Sequence, residues 1–217
     1  MKQNNTFQKT IIATLILSLF LASTGSAKKI ISENDFKQGN IICFGNSLTE
    51  GVGASAEQSY PAILSQKLPF KVINAGKSGE TTFGALARLE KDVLSQNPRL
   101  VIVEFGANDF FQNIPAKTVA KNLTTIINRI KTNNSLVILA GLNINWQFNQ
   151  MYKSVAQKTK VLLIPDILEN VFNNPDLMSD SLHPNNQGYY LVAQNVYRGF
   201  YSSLKKAGLS HIIPENF

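Results

Sequence analysis

The chain has 217 residues, of which 44% are hydrophobic and 16% charged, and its formal charge is +7. That balance excludes a disordered chain, and the length suits one domain. One cysteine and two histidines exclude a disulfide framework, a Cys-based zinc cluster and a His-rich metal site.

The first segment reads as an address. Lys2 and Lys9 give a basic start without an acid, residues 11–22 form an apolar run, and Gly25 and Ala27 supply small residues for cleavage. The run is shorter than the roughly 20 apolar residues of an ordinary spanning helix. The alternative is an uncleaved membrane anchor. No cysteine lies at the cleavage site to carry a lipid. The expected layout is a signal peptide at residues 1–27 and a single domain at residues 28–217, exported to the periplasm or secreted. The domain keeps an excess of positive charge after the two leader lysines are removed. That excess is spread along the chain, which reads as a solvated face. No nucleic-acid motif accompanies it.

Within the domain, apolar runs alternate with helical patterns. Residues 40–44 predict a buried strand ending at Gly45. Tyr60, Ile63, Leu64 and Leu68 predict a helix over residues 57–68. A second strand is expected at residues 70–74. A helix is expected at 82–94, with Leu86, Leu89 and Val93 on one face. Residues 100–105 are the clearest strand. Val119, Leu123, Ile126, Ile127 and Ile130 mark an amphipathic helix. A fourth strand at 135–140, a helix near 149–158, a fifth strand at 161–164 and a last helix over 186–205 complete the series. Five buried strands alternating with helices imply an α/β sandwich, a parallel sheet covered on both faces. Ligands bind such sheets outside the carboxyl ends of the strands.

The residues just after each strand are therefore informative. Gly45-Asn46-Ser47-Leu48 comes after the first, and Ala75-Gly76-Lys77-Ser78-Gly79 after the second. Gly106-Ala107-Asn108-Asp109 comes after the third, and Asp180-Ser181-Leu182-His183-Pro184 lies between the fifth and the last helix. Together these segments offer a hydroxyl, flexible backbone amides, a carboxamide, a carboxylate and an imidazole. Those are the parts of an acyl-transfer site. A serine hydroxyl is a weak nucleophile until a base takes its proton. An imidazole titrates near neutral pH and can take and return it. A carboxylate three residues earlier can hold the other ring nitrogen. Backbone and Asn N–H groups can meet a developing oxyanion. Two simpler motifs fail. Gly76-Lys77-Ser78 lacks the upstream glycine of a phosphate loop, since position 71 is Lys71. Ser47 lacks the second glycine of a nucleophile elbow, since position 49 is Thr49.

These four blocks, in this order, resemble those of the SGNH hydrolases, also called the GDSL esterase/lipase family. The similarity is greatest to its small exported bacterial lysophospholipase, thioesterase and arylesterase branch, and it covers residues 40–204. The resemblance implies a flavodoxin-like three-layer sandwich, with five parallel strands in the order 2-1-3-4-5. It implies a serine esterase that hydrolyses acyl esters or thioesters through a Ser47 acyl-enzyme. His183 would be the base and Asp180 its acid partner. The amides of Ser47 and Gly79 and the side chain of Asn108 would form the oxyanion hole. Neither metal nor organic cofactor is implied. The partner would be a small-molecule or lipid acyl ester, with transient contact to a membrane surface. The family usually has Asp where this chain has Asn46. Asn keeps one acceptor and loses the charge.

Plainer readings stand beside these. Ser47 can simply cap a helix. His211 is the other histidine, in an expected frayed tail, and Asp176 competes with Asp180. Asn108 can be a turn residue and Asp109 a helix cap, while Gly76 rivals Gly79. Cys43 reads as a buried inert thiol. Trp146, Phe148 and Tyr152 either line an acyl pocket or pack. The rival functions are a carbohydrate O-acetylesterase of the same family and a catalytically weak exported binding module.

Overall fold

Apolar side chains on both sides of the three central strands leave the middle of the sheet no wet face, while the edge strands are only partly buried. In the computed structural model, which describes residues 33–217, β1 (Asn40–Gly45), β2 (Val72–Gly76), β3 (Pro98–Glu104), β4 (Leu136–Ala140) and β5 (Leu162–Ile164) form one parallel sheet. The strand order is 2-1-3-4-5. The expected leader at residues 1–27 lies outside the described residues.

Alternation along the strands divides the interior into two cores. Ile41, Cys43, Leu100, Ile102 and Ile138 point to one face. There they pack against Phe36 of α1 (Glu33–Lys37), Leu48 of α2 (Ser47–Glu50), α3 (Tyr60–Lys67) and α8 (Asn186–Lys206). Ile42, Phe44, Val101, Val103, Val137 and Leu139 point to the other. That face is covered by α4 (Thr82–Asp92), α6 (Ala116–Thr132) and α7 (Trp146–Thr159). A short α5 (Ala107–Phe111) sits on the turn after β3. This is the three-layer sandwich expected from the alternating pattern.

The differences from expectation are local. β2 begins at Val72 rather than at residue 70 and runs to Gly76. The helix expected over 57–68 is a 3-10 turn (Ala56–Gln58) followed by α3. The C-terminal tail is docked rather than frayed. Tyr197 donates its hydroxyl to the Pro214 carbonyl at 2.6 Å, and the Phe217 ring packs edge-on against Tyr197 at 5.0 Å. His211 sits in this tail, in a 3-10 turn (Ser210–Ile212).

Strand register positions the site. Gly76, Gly45, Glu104, Ala140 and Ile164 pair successively across the sheet. All five strands therefore stop at one level, and the segments after them gather at one edge. The chain crosses from one half of the sheet to the other between β1 and β3, the place where such sheets open a crevice. Among the described residues, no helix is long and apolar enough to cross a membrane.

Ile126 of α6 is fully buried in the second core. Ile126→Ala should cost about 2–5 kcal/mol. The check is a urea midpoint that moves at unchanged slope.

Candidate active site

The turn from β1 into α2 presents Ser47. Asn46 is the helix cap, because its Oδ1 accepts the Leu48 N–H at 2.9 Å. Ser47 is thus the first helical residue rather than the cap. Gly51, in the left-handed region at φ 101°, ends α2 after a single turn.

The Asp180–His183 loop meets that turn from 136 residues away. His183 Nε2 lies 3.0 Å from Ser47 Oγ. His183 Nδ1 lies 2.8 Å from Asp180 Oδ2 and 3.1 Å from Oδ1. The tautomer that satisfies both contacts carries its proton on Nδ1. Nε2 then accepts from the serine hydroxyl. Asp180 Oδ1 also accepts the N–H groups of Leu182 at 2.7 Å and His183 at 2.8 Å. The His183 contact first, then these two N–H groups, pull the Asp180 carboxyl down to about 2. It is ionised throughout the neutral range. Asp176 lies in a 3-10 turn (Pro175–Leu177) outside this triad.

Backbone contacts fix the distance between the two halves. Tyr189 donates its hydroxyl to the Val52 carbonyl at 2.9 Å, and the Ser55 N–H donates to Asn186 Oδ1 at 3.0 Å. Gly53 lies against the Pro184 carbonyl and the His183 Cβ so closely that a side chain at 53 would collide with both.

The loop after β2 supplies amides. Gly76 is the worse candidate, since its N–H is taken by Asn74 Oδ1 at 2.9 Å and its Cα packs on the backbone of Glu50. Gly79 has φ +74° and open space around it. Among the described residues, neither the Gly79 N–H nor the Ser47 N–H has a hydrogen-bond partner. Asn108 Nδ2 donates to the Glu80 carbonyl at 3.0 Å. That uses one of its two hydrogens and leaves one.

Other residues build the frame. Gly106 adopts φ +132° and abuts the hydroxyl of Tyr152, which donates to the Phe105 carbonyl at 2.8 Å. Asp109 is fully buried. Its carboxylate accepts the Thr82 N–H at 3.0 Å and the Thr82 hydroxyl at 2.6 Å, so it caps α4 across the crevice. Burial raises its pKa against those bonds. Arg88 of α4 joins the ends of β1 and β2. It donates to the carbonyls of Gly45 and Ala75, each at 2.9 Å, and pairs with Glu80 at 2.9 Å. Cys43 is buried, and burial pushes its thiol well above the ordinary range. Phe148 and Tyr152 are buried packing residues, whereas Trp146 is 77% exposed.

The sequence profile of the GDSL-like lipase/acylhydrolase family matches residues 43–191. The chain belongs to this family. Membership makes it a hydrolase of ester bonds. It is 32% identical over 195 residues to an arylesterase of Vibrio mimicus, covering 83% of this chain and 94% of that one. It is 31% identical over 164 residues to the thioesterase 1/protease 1/lysophospholipase L1 of Escherichia coli K12, covering 70% and 79%. The crystal structure of the psychrotrophic esterase EstA from Pseudoalteromonas sp., inhibited by monoethylphosphonate, superposes with a TM-score of 0.71 at 26% identity. The match covers 77% of this chain and 99% of that one. These relatives favour the acyl ester reading over a carbohydrate O-acetylesterase.

Four residues of the GDSL-like site's frame escape a reading by motif: Glu104, Glu80, Thr82 and Tyr152. Glu104 left one signal, a carboxylate at the end of the most apolar strand, and Tyr152 reads only as a packing or pocket-lining residue. Asp109 was legible as a helix cap, but not as the cap of a helix from another loop. Asp109→Ala strands a buried N–H and hydroxyl, which should cost roughly 1–3 kcal/mol in chemical denaturation. It should also slow turnover, because the loops bearing Asn108 and Gly79 lose one of the ties between them.

Proposed function

We propose that the protein is an exported serine esterase acting on acyl esters and thioesters, with Ser47 as nucleophile, His183 as base and Asp180 as its orienting acid. The observation that carries this reading is the unbroken chain Asp180–His183–Ser47, at 2.8 and 3.0 Å, at the crevice of the sheet.

The chemistry is set by those contacts. His183 Nε2 takes the Ser47 proton as Oγ attacks the acyl carbon. The tetrahedral oxyanion is met by the N–H groups of Ser47 and Gly79 and by the second hydrogen of Asn108 Nδ2. The imidazolium returns its proton to the leaving alcohol or thiol, and an ester of Ser47 remains. Water enters, its oxygen attacks the acyl carbon as His183 Nε2 takes its proton, and that proton passes to Ser47 Oγ as the bond from Oγ to the acyl carbon breaks and the acid leaves. Asp180 holds the ring and stabilises its charge without taking the proton.

Apolar surface near these loops supports acyl chains as substrates and transient contact with a membrane surface. Phe83 opens α4, Phe111 ends α5, Trp146 opens α7 and Leu182 belongs to the Asp180–His183 loop, and all four are exposed. Export rests on the leader pattern of residues 1–27. No motif supports a nucleic-acid partner.

Ser47→Ala should lower hydrolysis of p-nitrophenyl esters by at least about 10³-fold and abolish labelling by a fluorophosphonate. Asn108→Ala should lower kcat by about 10²–10³-fold with little change in KM. The measurement is a chain-length series from acetate to palmitate on residues 28–217. Turnover that persists in Ser47→Ala would overturn the reading. A preference confined to acetate would favour the O-acetylesterase.

A further inference from the structure

Glu104 is the last residue of β3 and is fully buried. Its carboxylate takes part in none of the salt bridges among the described residues. It faces instead the turn that carries Ser47. Oε1 accepts Asn46 Nδ2 at 3.0 Å, and Oε2 accepts the Asn46 N–H at 3.3 Å and the Thr49 hydroxyl at 3.0 Å. Thr49 in turn lies 3.0 Å from the Tyr60 hydroxyl. Gly45 opens the space, since a Cβ there would approach Glu104 Oε2 to 2.7 Å.

We propose that Glu104 is a positioning residue for ester hydrolysis. Through Asn46 and Thr49 it fixes the turn that presents both the hydroxyl and the N–H of Ser47. The inference rests on Ser47 being the nucleophile. Three bonds on the residues either side of Ser47 converge on one side chain of a central strand. That strand is braced by β1 and β4. Loosening the anchor moves the serine relative to His183, which is held by a different segment. Displacement of an ångström at a reacting atom can cost about 10²-fold in rate.

Asn46 is the residue that this arrangement calls for. Its Oδ1 is committed to the Leu48 N–H, so its other terminus must donate to Glu104. An aspartate there would set two carboxylates about 3.0 Å apart, judged from the present contact, and they would have to share a proton. The other titratable groups that interact with Glu104 are Tyr60 of α3, Tyr152 of α7 and Tyr189 of α8, and Cys43 of β1 lies behind them on Tyr60. Burial keeps each of them in its neutral form. The nearby cation, Arg88, spends Nη2 on the Gly45 carbonyl. Burial pushes the Glu104 carboxyl up to about 8, against the bonds from Asn46 and Thr49. A carboxyl raised in the folded state stabilises the fold below its ordinary value of 4.5 and loses that contribution as pH rises to about 8.

The test uses Glu104→Gln, Asn46→Asp and the double variant, with kcat, KM, fluorophosphonate labelling and urea midpoints taken from pH 5 to 9. Glu104→Gln should lower kcat and labelling by roughly ten- to a hundredfold with KM within about twofold. It should also flatten the fall of the urea midpoint between pH 4.5 and 8. Asn46→Asp should develop a loss of kcat on the alkaline side that the wild type lacks. The double variant exchanges amide and carboxylate between the two positions. The amide now at the end of β3 would donate to the carboxylate now in the turn and still accept from Thr49, so the ties between strand and turn are restored. It should regain kcat to within about threefold of wild type. Single losses that simply multiply in the double variant would overturn the proposal. So would a Glu104→Gln enzyme that is less stable but turns over and labels normally. Ser47→Ala is the control. If it keeps turnover, the serine mechanism fails. If it is inactive while the Glu104 variants are normal, only the role of Glu104 fails.

Discussion

A parallel sheet buried on both faces ends in a row of backbone groups that no further strand can satisfy. In this protein that row runs from Gly76 through Gly45, Glu104 and Ala140 to Ile164. The candidate catalytic residues lie just beyond it. Two buried or half-buried polar side chains, Arg88 and Glu104, meet the demand. Arg88 donates to the Gly45 carbonyl that ends β1 and to the Ala75 carbonyl one residue before the end of β2, and Glu104 accepts the N–H and side-chain donors of the turn after β1. One supplies donors where carbonyls are in excess, and the other supplies acceptors where a helix begins. Such pairing is how a polar edge can be buried without leaving an unmet group. No buried side-chain nitrogen or oxygen among the described residues lacks a partner.

The next layer out is built from the same logic. Asp109 accepts from Thr82, Asn122 donates to the Thr82 hydroxyl at 3.0 Å, and Asn108 donates to the Glu80 carbonyl. The loops after β2 and β3 are thereby tied to each other rather than left to solvent. Their apolar members are divided. Phe110 packs edge-on against Phe148 at 5.4 Å, while its neighbour Phe111 stays exposed. The frame is rigid where it must hold amides, and its outer skin is apolar.

The fold was legible because both signals that specify it are periodic. Strands of alternating but wholly apolar residues mark two buried faces, and the stripe Val119-Leu123-Ile126-Ile127-Ile130 marks a covering helix. Boundaries were less legible. α2 and α5 have four and five residues, fewer than two turns, so no periodicity could reveal them. β2 ends in Asn74-Ala75-Gly76, which reads as loop chemistry, yet these residues pair with Cys43, Phe44 and Gly45. Of the candidate site, the residues that stand in recognisable blocks are the ones that motifs point to: Ser47, Gly79, Asn108, Asp180 and His183. Their supports are not among them, because a support is defined by what it touches across the fold. Glu104 contacts residues 55 and 58 positions away, and its one local signal, a carboxylate ending an apolar strand, does not say what it touches.

The contacts from Ser47 through His183 to Asp180 join two mechanically different parts. Ser47 stands on a turn anchored inside the sheet. Asp180 and His183 stand on an outer loop, closed by Ser179 and Asp180 N–H groups on the His183 carbonyl and by the Asn185 N–H on Leu177. Asp180 is half exposed. An exposed carboxylate competes with water for its partner, so the geometry of the ring cannot come from that pair alone. It comes from the strap of residues 51–55. That strap leaves α2 through a left-handed glycine, passes Gly53 against Pro184 and His183, and is pinned by Tyr189 and Asn186. The strap begins one residue after the helix that bears Ser47 and ends on the helix just beyond His183. The distance from Ser47 to His183 is therefore a property of that short connection, which explains why a glycine with no room for a side chain stands at its centre.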